Sequence, residues 1–309
     1  MILIILACLQ AILLVAAAPL VSGSARWMRA KFQTRKGPPI LQDYYDISKL
    51  FKRQDLHTKD SSFVHRLMPP LFIGVMMLIF MGIPVVTRFS PIPLLGDVIL
   101  IIYLMVLPRL FFALSAIDTG SSYAGVGGIR ELLIGVLVEP AMLLALFVTI
   151  LATGTTNVGE MGMMVGSFAA VNPVAVALAG VAFACACYME LGKLPYDLAE
   201  AEQELQEGPL SEYSGPSLAY CKIALYMKQI VVVSLLVAIF IPFGSATELT
   251  VPAMALGLVL YLAKVVVIFF ICTIFENVVA RVRFKLFGHQ TWTVVGIAAL
   301  ALVFFVLGI

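Results

Sequence analysis

The chain has 309 residues, of which 61% are hydrophobic and 12% charged, with 20 Lys and Arg against 18 Asp and Glu. That composition lies outside the range of soluble domains, and a net charge of +2 gives no electrostatic footprint for nucleic acid. The expectation is an integral membrane protein in a lipid bilayer.

Apolar runs able to cross about 30 Å of hydrocarbon as helices are read at roughly 2–22, 69–88, 96–116, 130–152, 170–190, 223–243, 252–275 and 291–308. They predict one transmembrane domain over 1–309 with about eight spans. No run alternates apolar and polar residues with period two, which argues against a β-barrel. The predicted fold class is an all-α polytopic bundle.

The first span ends in "APLVSGSA", which resembles a cleavage site, but Arg26, Arg29, Lys31, Arg35 and Lys36 follow the apolar core instead of preceding it. A retained helix is therefore expected. Ten of the 20 Lys and Arg lie in 24–68, and Arg281, Arg283 and Lys285 lie between the last two spans. The positive-inside rule then puts both termini on the non-cytoplasmic side.

Two cytoplasmic loops follow, a basic one at 24–68 and an acidic one at 190–222. Residues 26–66 carry ten Lys and Arg against Asp43, Asp46, Asp55 and Asp60, a net +6. Residues 190–213 carry Glu190, Asp197, Glu200, Glu202, Glu204, Glu207 and Glu212 against Lys193, a net −6. The basic loop suits topology and anionic headgroups. Glu200, Glu204 and Glu207 have the spacing of one helix face, where like charges repel. Clustered carboxylates raise one another's pKa and can hold and pass protons.

Charges at membrane depth each need a partner or a role. Asp97 and Glu131 are expected in the first turns of their helices, where carboxylates complement the helix dipole. Glu139 lies about 13 Å into the fourth span and Arg109 about 12 Å from the inner end of the third. Matched depth predicts that they pair. Lys264, mid-way along the seventh span, suggests a polar interior path, and Glu276 sits near that span's inner end. Pro140 should loosen the helix beside Glu139, so Glu139 and Glu190 are candidate ends of one hydrated route.

Cys8, Cys185, Cys187, Cys221 and Cys272 lie in or beside apolar runs with no CxxC pair, and His57, His65 and His289 are scattered. Inert thiols and no cofactor or metal in this chain are expected.

The run E190-LGK-LPYD197-LAE200-AE202-QE204-LQE-G208-PLSE212-Y213 resembles the signature loop of the complex I membrane subunit that anchors the peripheral arm. R35-KG37-P38, with L41-Q42 and D46-I-S-K49-L-F, resembles that family's first cytoplasmic loop, and Arg130 with Glu139 resembles its fourth-span Arg and Glu. Where quinone-reducing members carry NRPPFD this chain has GKLPYD (192–197), and the first loop lacks their longer GPNRVG element. With "IRELLIGVLVEP", which adds Glu131 and Pro140, these departures resemble the branch in membrane-bound [NiFe] hydrogenases of the formate hydrogenlyase and hydrogenase 4 type. Quinone binding is not carried over.

The resemblance implies a non-catalytic subunit of an oxidoreductase complex in a bacterial or archaeal cytoplasmic membrane. It implies partners of four kinds: hydrogenase large and small subunits, Fe–S electron-transfer subunits and antiporter-like membrane subunits. The [NiFe] centre and Fe–S clusters would sit in those partners. It implies proton coupling through Glu139 and the loop carboxylates Glu190, Asp197, Glu200, Glu202 and Glu204, to which the charges at membrane depth add Glu131, Arg109 and Lys264, and an arm interface at Arg35, Lys36, Asp46, Lys49 and Tyr213. Three other readings stay open: a quinone-site subunit, an autonomous ion-coupled transporter and a purely structural anchor.

Overall fold

The computed structural model describes residues 2–59, 61–200 and 202–308, without the side chains of Ile2, Glu202 and Gln203. Helix α1 (Ile2–Phe32) leads to the amphipathic α2 (Gln42–Phe51), then α3 (Phe63–Gly82), α4 (Val98–Asp118) and α5 (Ser122–Thr153). A short α6 (Val158–Gly166) precedes α7 (Pro173–Glu190), α8 (Glu202–Leu205) and a 3-10 turn at Gly208–Leu210. The chain closes with α9 (Gly215–Phe240), α10 (Val251–Val278) and α11 (Phe284–Leu307). Among the described residues eight of these helices are long and apolar enough to cross a membrane. No strand occurs among them, only the isolated bridges Thr87 to Ala246 and Asp97 to Asn157.

Several boundaries differ from the sequence expectation. Lys and Arg are good helix formers, so α1 runs on past its apolar core where hydropathy drops. Helix α1 has 31 residues, about 46 Å at 1.5 Å per residue, and its last turns carry Arg26, Arg29 and Lys31 beyond the hydrocarbon. Helix α5 starts at Ser122, so Glu131 is not in its first turn as expected. Region 24–68 therefore holds the end of α1, all of α2 and the start of α3, and region 190–222 holds α8, the 3-10 turn and the start of α9. Asp97 does cap its helix, accepting from the backbone N–H of Ile99 and Leu100.

Helix α9 is the buried axis of the bundle, with 61% of its apolar window enclosed against 22% for α11. Lipid tails are as apolar as leucine, so helices associate through close packing of small residues. On α7, Ala175, Ala179, Ala182 and Ala186 form a fully buried stripe, and α7 packs against α5 and α11. Large apolar side chains such as Ile5, Val136, Val259 and Val306 point outward, as a lipid-facing surface requires. Both polar segments gather at one end of the bundle, because the C-terminal ends of α1, α4, α7 and α10 meet the N-terminal ends of α3, α5, α9 and α11 there.

Candidate functional site, a buried ion network

The turn between α4 and α5 spans only residues 119–121, with Gly120 at φ +69. So tight a turn makes the helices antiparallel neighbours, and Arg109 on α4 faces Glu131 and Glu139 on α5. Arg109 is 6% exposed. Its Nη1 donates to Glu139, its Nη2 to Glu190 and its Nε to Glu131 at 3.4 Å. From α9, the Lys228 ammonium stands 3.0 Å from Glu131 Oε1 and 3.0 Å from Glu190 Oε1. Four helices thus contribute two cations and three carboxylates, leaving one negative charge in excess.

Room for this network comes from two sequence features. Gly135 lies against the guanidinium, and a Cβ there would fall 2.8 Å from Arg109 Cδ. Pro108 and Pro140 sit inside α4 and α5 directly beside Arg109 and Glu139. Each removes a backbone donor, freeing a carbonyl one turn earlier. Glu190 is 3% exposed, and its Oε2 has no hydrogen-bond partner. An unpartnered carboxylate oxygen in such a place calls for a water or a proton.

Space for water adjoins it. A cavity of about 70 Å³ is lined by Glu131, Glu190, Lys228, Asp197 and Glu200, enough for a few waters. Asp197, Glu200, Gly192 and Gln229 also line a second cavity of about 350 Å³, whose far wall carries Arg26, Arg29, Lys193 and Lys222. Polar groups therefore continue from Glu139 in the bundle to the polar end.

The acidic segment is held in several pieces, and the expected single helix face for Glu200, Glu204 and Glu207 does not form. Glu207 has φ +65, past the end of α8. Glu204 accepts from Arg130 Nη1 at 2.7 Å, which holds its carboxyl below the usual range. Glu207 lies 3.8 Å from Lys222 and Asp197 3.4 Å from Arg281. Among the described residues no cation forms an ion pair with Glu200: loss of hydration among its neighbours and the nearby Asp197 carboxylate push it up to about 7, although the residue is exposed. The Glu202 side chain lies outside the described residues.

A second buried group forms where α1 meets α10. Glu276 accepts from Arg29 Nε at 2.7 Å and lies 3.7 Å from Lys193, whose ammonium sits 4.5 Å from the centre of the Phe269 ring. Burial of Lys193 outweighs the pull of Glu276 and lowers its pKa.

Lys264 joins neither group. Its ammonium donates to the carbonyls of Ile241 (2.7 Å) and Phe243 at the far end of α9, so the interior path expected there is replaced by a helix-end contact. Tyr213 is buried, its hydroxyl 2.9 Å from Ser115 Oγ and 3.1 Å from the His65 carbonyl, either of which can accept its one proton. It braces the loop from inside and has no surface to offer a partner. Arg35, Lys36 and Lys49 are exposed, and Asp46 is half-buried with Gln42 donating to it at 2.9 Å. His57 and His65, far apart in the apolar pattern, bring their rings to 5.9 Å. Cys8 is exposed on α1, while Cys187, Cys221 and Cys272 are buried.

Lys228 was not singled out by sequence reasoning. It lies only a few residues inside an apolar run, where a lysine ordinarily reaches out to the interface. The available signal was its place inside an apolar run that starts at the same end of the bundle as the run holding Glu131.

The sequence profile described as NADH dehydrogenase matches residues 3–307. Hydrogenase-4 component C of Escherichia coli (strain K12) is 47% identical over 307 residues, covering 99% of this chain and 97% of that protein. Formate hydrogenlyase subunit 4 of the same strain is 44% identical over 295 residues, 96% of each chain. NADH-quinone oxidoreductase subunit 8 of Rhodothermus marinus is 28% identical over 251 residues, 74% of this chain and 71% of that protein. In fold, a chain of the membrane-bound sulfane sulfur reductase, an archaeal respiratory membrane complex, superposes with a TM-score of 0.87 at 23% identity, covering 99% of this chain and 100% of that one. This multi-pass membrane chain belongs to the NADH dehydrogenase family, on the branch that holds hydrogenase-4 component C and formate hydrogenlyase subunit 4.

Proposed function

We propose that the chain is the membrane subunit of a formate hydrogenlyase or hydrogenase 4-type complex, anchoring a peripheral [NiFe] hydrogenase and Fe–S arm and taking part in redox-coupled movement of protons or sodium ions. The similarity to the two Escherichia coli subunits supports the class of complex. The observation that carries the coupling role is the network of Arg109, Lys228, Glu131, Glu139 and Glu190, set between four spanning helices with Arg109 and Glu190 buried, and continued by cavities to the acidic segment. A network with more carboxylates than cations can take up one proton without losing its last ion pair. Glu139 is the member with a single cation partner, whereas Glu131 and Glu190 each touch both Arg109 and Lys228. Protonating Glu139 costs one ion pair; protonating either of the others costs two.

In this reading the polar end faces the cytoplasm of a bacterial or archaeal cell, with both termini on the opposite side of the cytoplasmic membrane. The arm, built from hydrogenase large and small subunits and Fe–S subunits, covers the acidic segment and the Asp46 and Lys49 face of α2. Antiporter-like membrane subunits lie beside the bundle. The [NiFe] centre and Fe–S clusters belong, in the same reading, to the arm. A change of charge at the arm shifts the protonation of Glu200, and through Lys228 biases the network.

Purification of the tagged chain in mild detergent, after crosslinking, tests the reading. Copurification of a hydrogenase large subunit with nickel is expected. Flavin-bearing NADH-oxidising subunits without nickel, or a chain that stays alone, would contradict it.

A further inference from the structure

The last turns of α1 and the loop that returns along them enclose a second kind of site. A cavity of about 260 Å³ is lined by Arg26, Arg29, Arg35, Lys36 and Gly37. Gly37 is required for the fold-back, since a Cβ there would collide with that of Ala30. Asp43 pairs with Arg26, and Glu276 with Arg29. Among the described residues no carboxylate pairs with Arg35 or Lys36. The concavity thus carries two uncompensated positive charges. Arg35 and Lys36, expected from the sequence at the arm contact, line this cavity.

We propose that this cavity binds the phosphodiester headgroup of an anionic phospholipid, with Arg35 and Lys36 as the determining cations. Two sources of phosphate chemistry fit the charge, a lipid and a free phosphate, and the surroundings favour the lipid. The site lies where α1 leaves the apolar zone, at headgroup level. On the same turns of α1 Trp27 and Phe32 expose apolar rings, and Phe32 packs on the exposed Phe270 with centroids 5.5 Å apart. Exposed aromatic rings beside basic side chains at the end of a spanning helix suit a lipid at the interface, with acyl chains against the rings and the phosphate on the cations. The site is independent of which arm the chain anchors.

The test compares the intact tagged complex with three variants: R35Q/K36Q, R35K/K36R, and K52Q/R53Q, which removes the same charge from α2. After detergent washing, phosphatidylglycerol retained per complex is measured by mass spectrometry relative to phosphatidylcholine. R35Q/K36Q is expected to lower the ratio roughly 30-fold, two cations at about 1 kcal/mol each, while R35K/K36R and K52Q/R53Q stay near wild type. Equal loss in both neutralised variants would reduce the effect to general surface charge and overturn the proposal. So would unchanged retention in R35Q/K36Q, or displacement of the lipid by millimolar inorganic phosphate.

Discussion

Lys228 on α9 stands 3.0 Å from Glu190 at the end of α7 and 3.0 Å from Glu131 on α5, so one ammonium ties three helices at the centre of the bundle. Its side chain is 15% exposed and that of Glu190 only 1%. Removing one partner from a pair this buried leaves a charge that water cannot reach, at a cost of about 3–5 kcal/mol. Lys228→Met should destabilise the chain by that order in reversible denaturation in detergent. Adding Glu131→Gln should recover part of the loss. Independent, additive losses would show that the pair is not coupled.

Gly135 gives a steric test of the same network. Gly135→Ala pushes on Arg109 from 2.8 Å at Cδ, and Arg109 is tethered to three carboxylates. The cost of such overpacking is about 1–3 kcal/mol. Gly125 on the same helix has nothing within 4 Å of a built Cβ, so Gly125→Ala should be neutral or stabilising by up to about 1 kcal/mol. Thermal unfolding of the two variants, side by side, separates a helix-propensity effect from a displaced guanidinium.

Glu200 provides the pH dependence. Its carboxyl titrates near 7 in the folded chain against 4.5 when unperturbed, so between those values the folded state binds more protons than the unfolded state. The contribution of Glu200 to stability is therefore fully present below about pH 4.5 and is lost as pH rises through about 7. Because the side chain reaches solvent, screening keeps the effect small. Glu200→Gln should melt with wild type at the acid end and above it at pH 8, flattening the curve between. A Glu200→Gln curve parallel to wild type across that range would contradict the assignment.

Lys264 sits apart, bonded to the Ile241 and Phe243 carbonyls. Lys264→Met should cost about 1–3 kcal/mol for the carbonyls left unpaired, with ion coupling unchanged. Loss of coupling at wild-type stability would bring Lys264 back into the ion path.

How far the sequence disclosed this arrangement follows from what each pattern encodes. Eight spans were legible because hydrocarbon thickness imposes a run length, and the depth of Arg109 and Glu139 followed from counting residues along those runs. Helix ends were less legible: Arg26 and Arg29 read as loop because they are charged, yet they continue α1, and Glu131 read as a helix start because α5 begins well before its apolar core. Helix α6, nine residues of which most are Val, Met and Gly, is too short to register as a span. Depth says nothing of rotation about the helix axis. Which helices adjoin α9 and α10, and therefore that Lys228 turns inward while Lys264 does not, is decided by tertiary packing, in which α3, α1 and α7 lie against α9.

Glu139 carries the central claim, as the carboxylate in excess of cations with a single partner to lose. The decisive measurement is the ion gradient formed by inverted membrane vesicles during hydrogen production, with wild type and Glu139→Gln compared at equal nickel content. With the network coupling redox chemistry to ion movement, Glu139→Gln should assemble, produce hydrogen in the presence of an uncoupler, and form no gradient of either protons or sodium ions. A wild-type gradient in Glu139→Gln would show that ions move elsewhere, and would leave the chain an anchor alone.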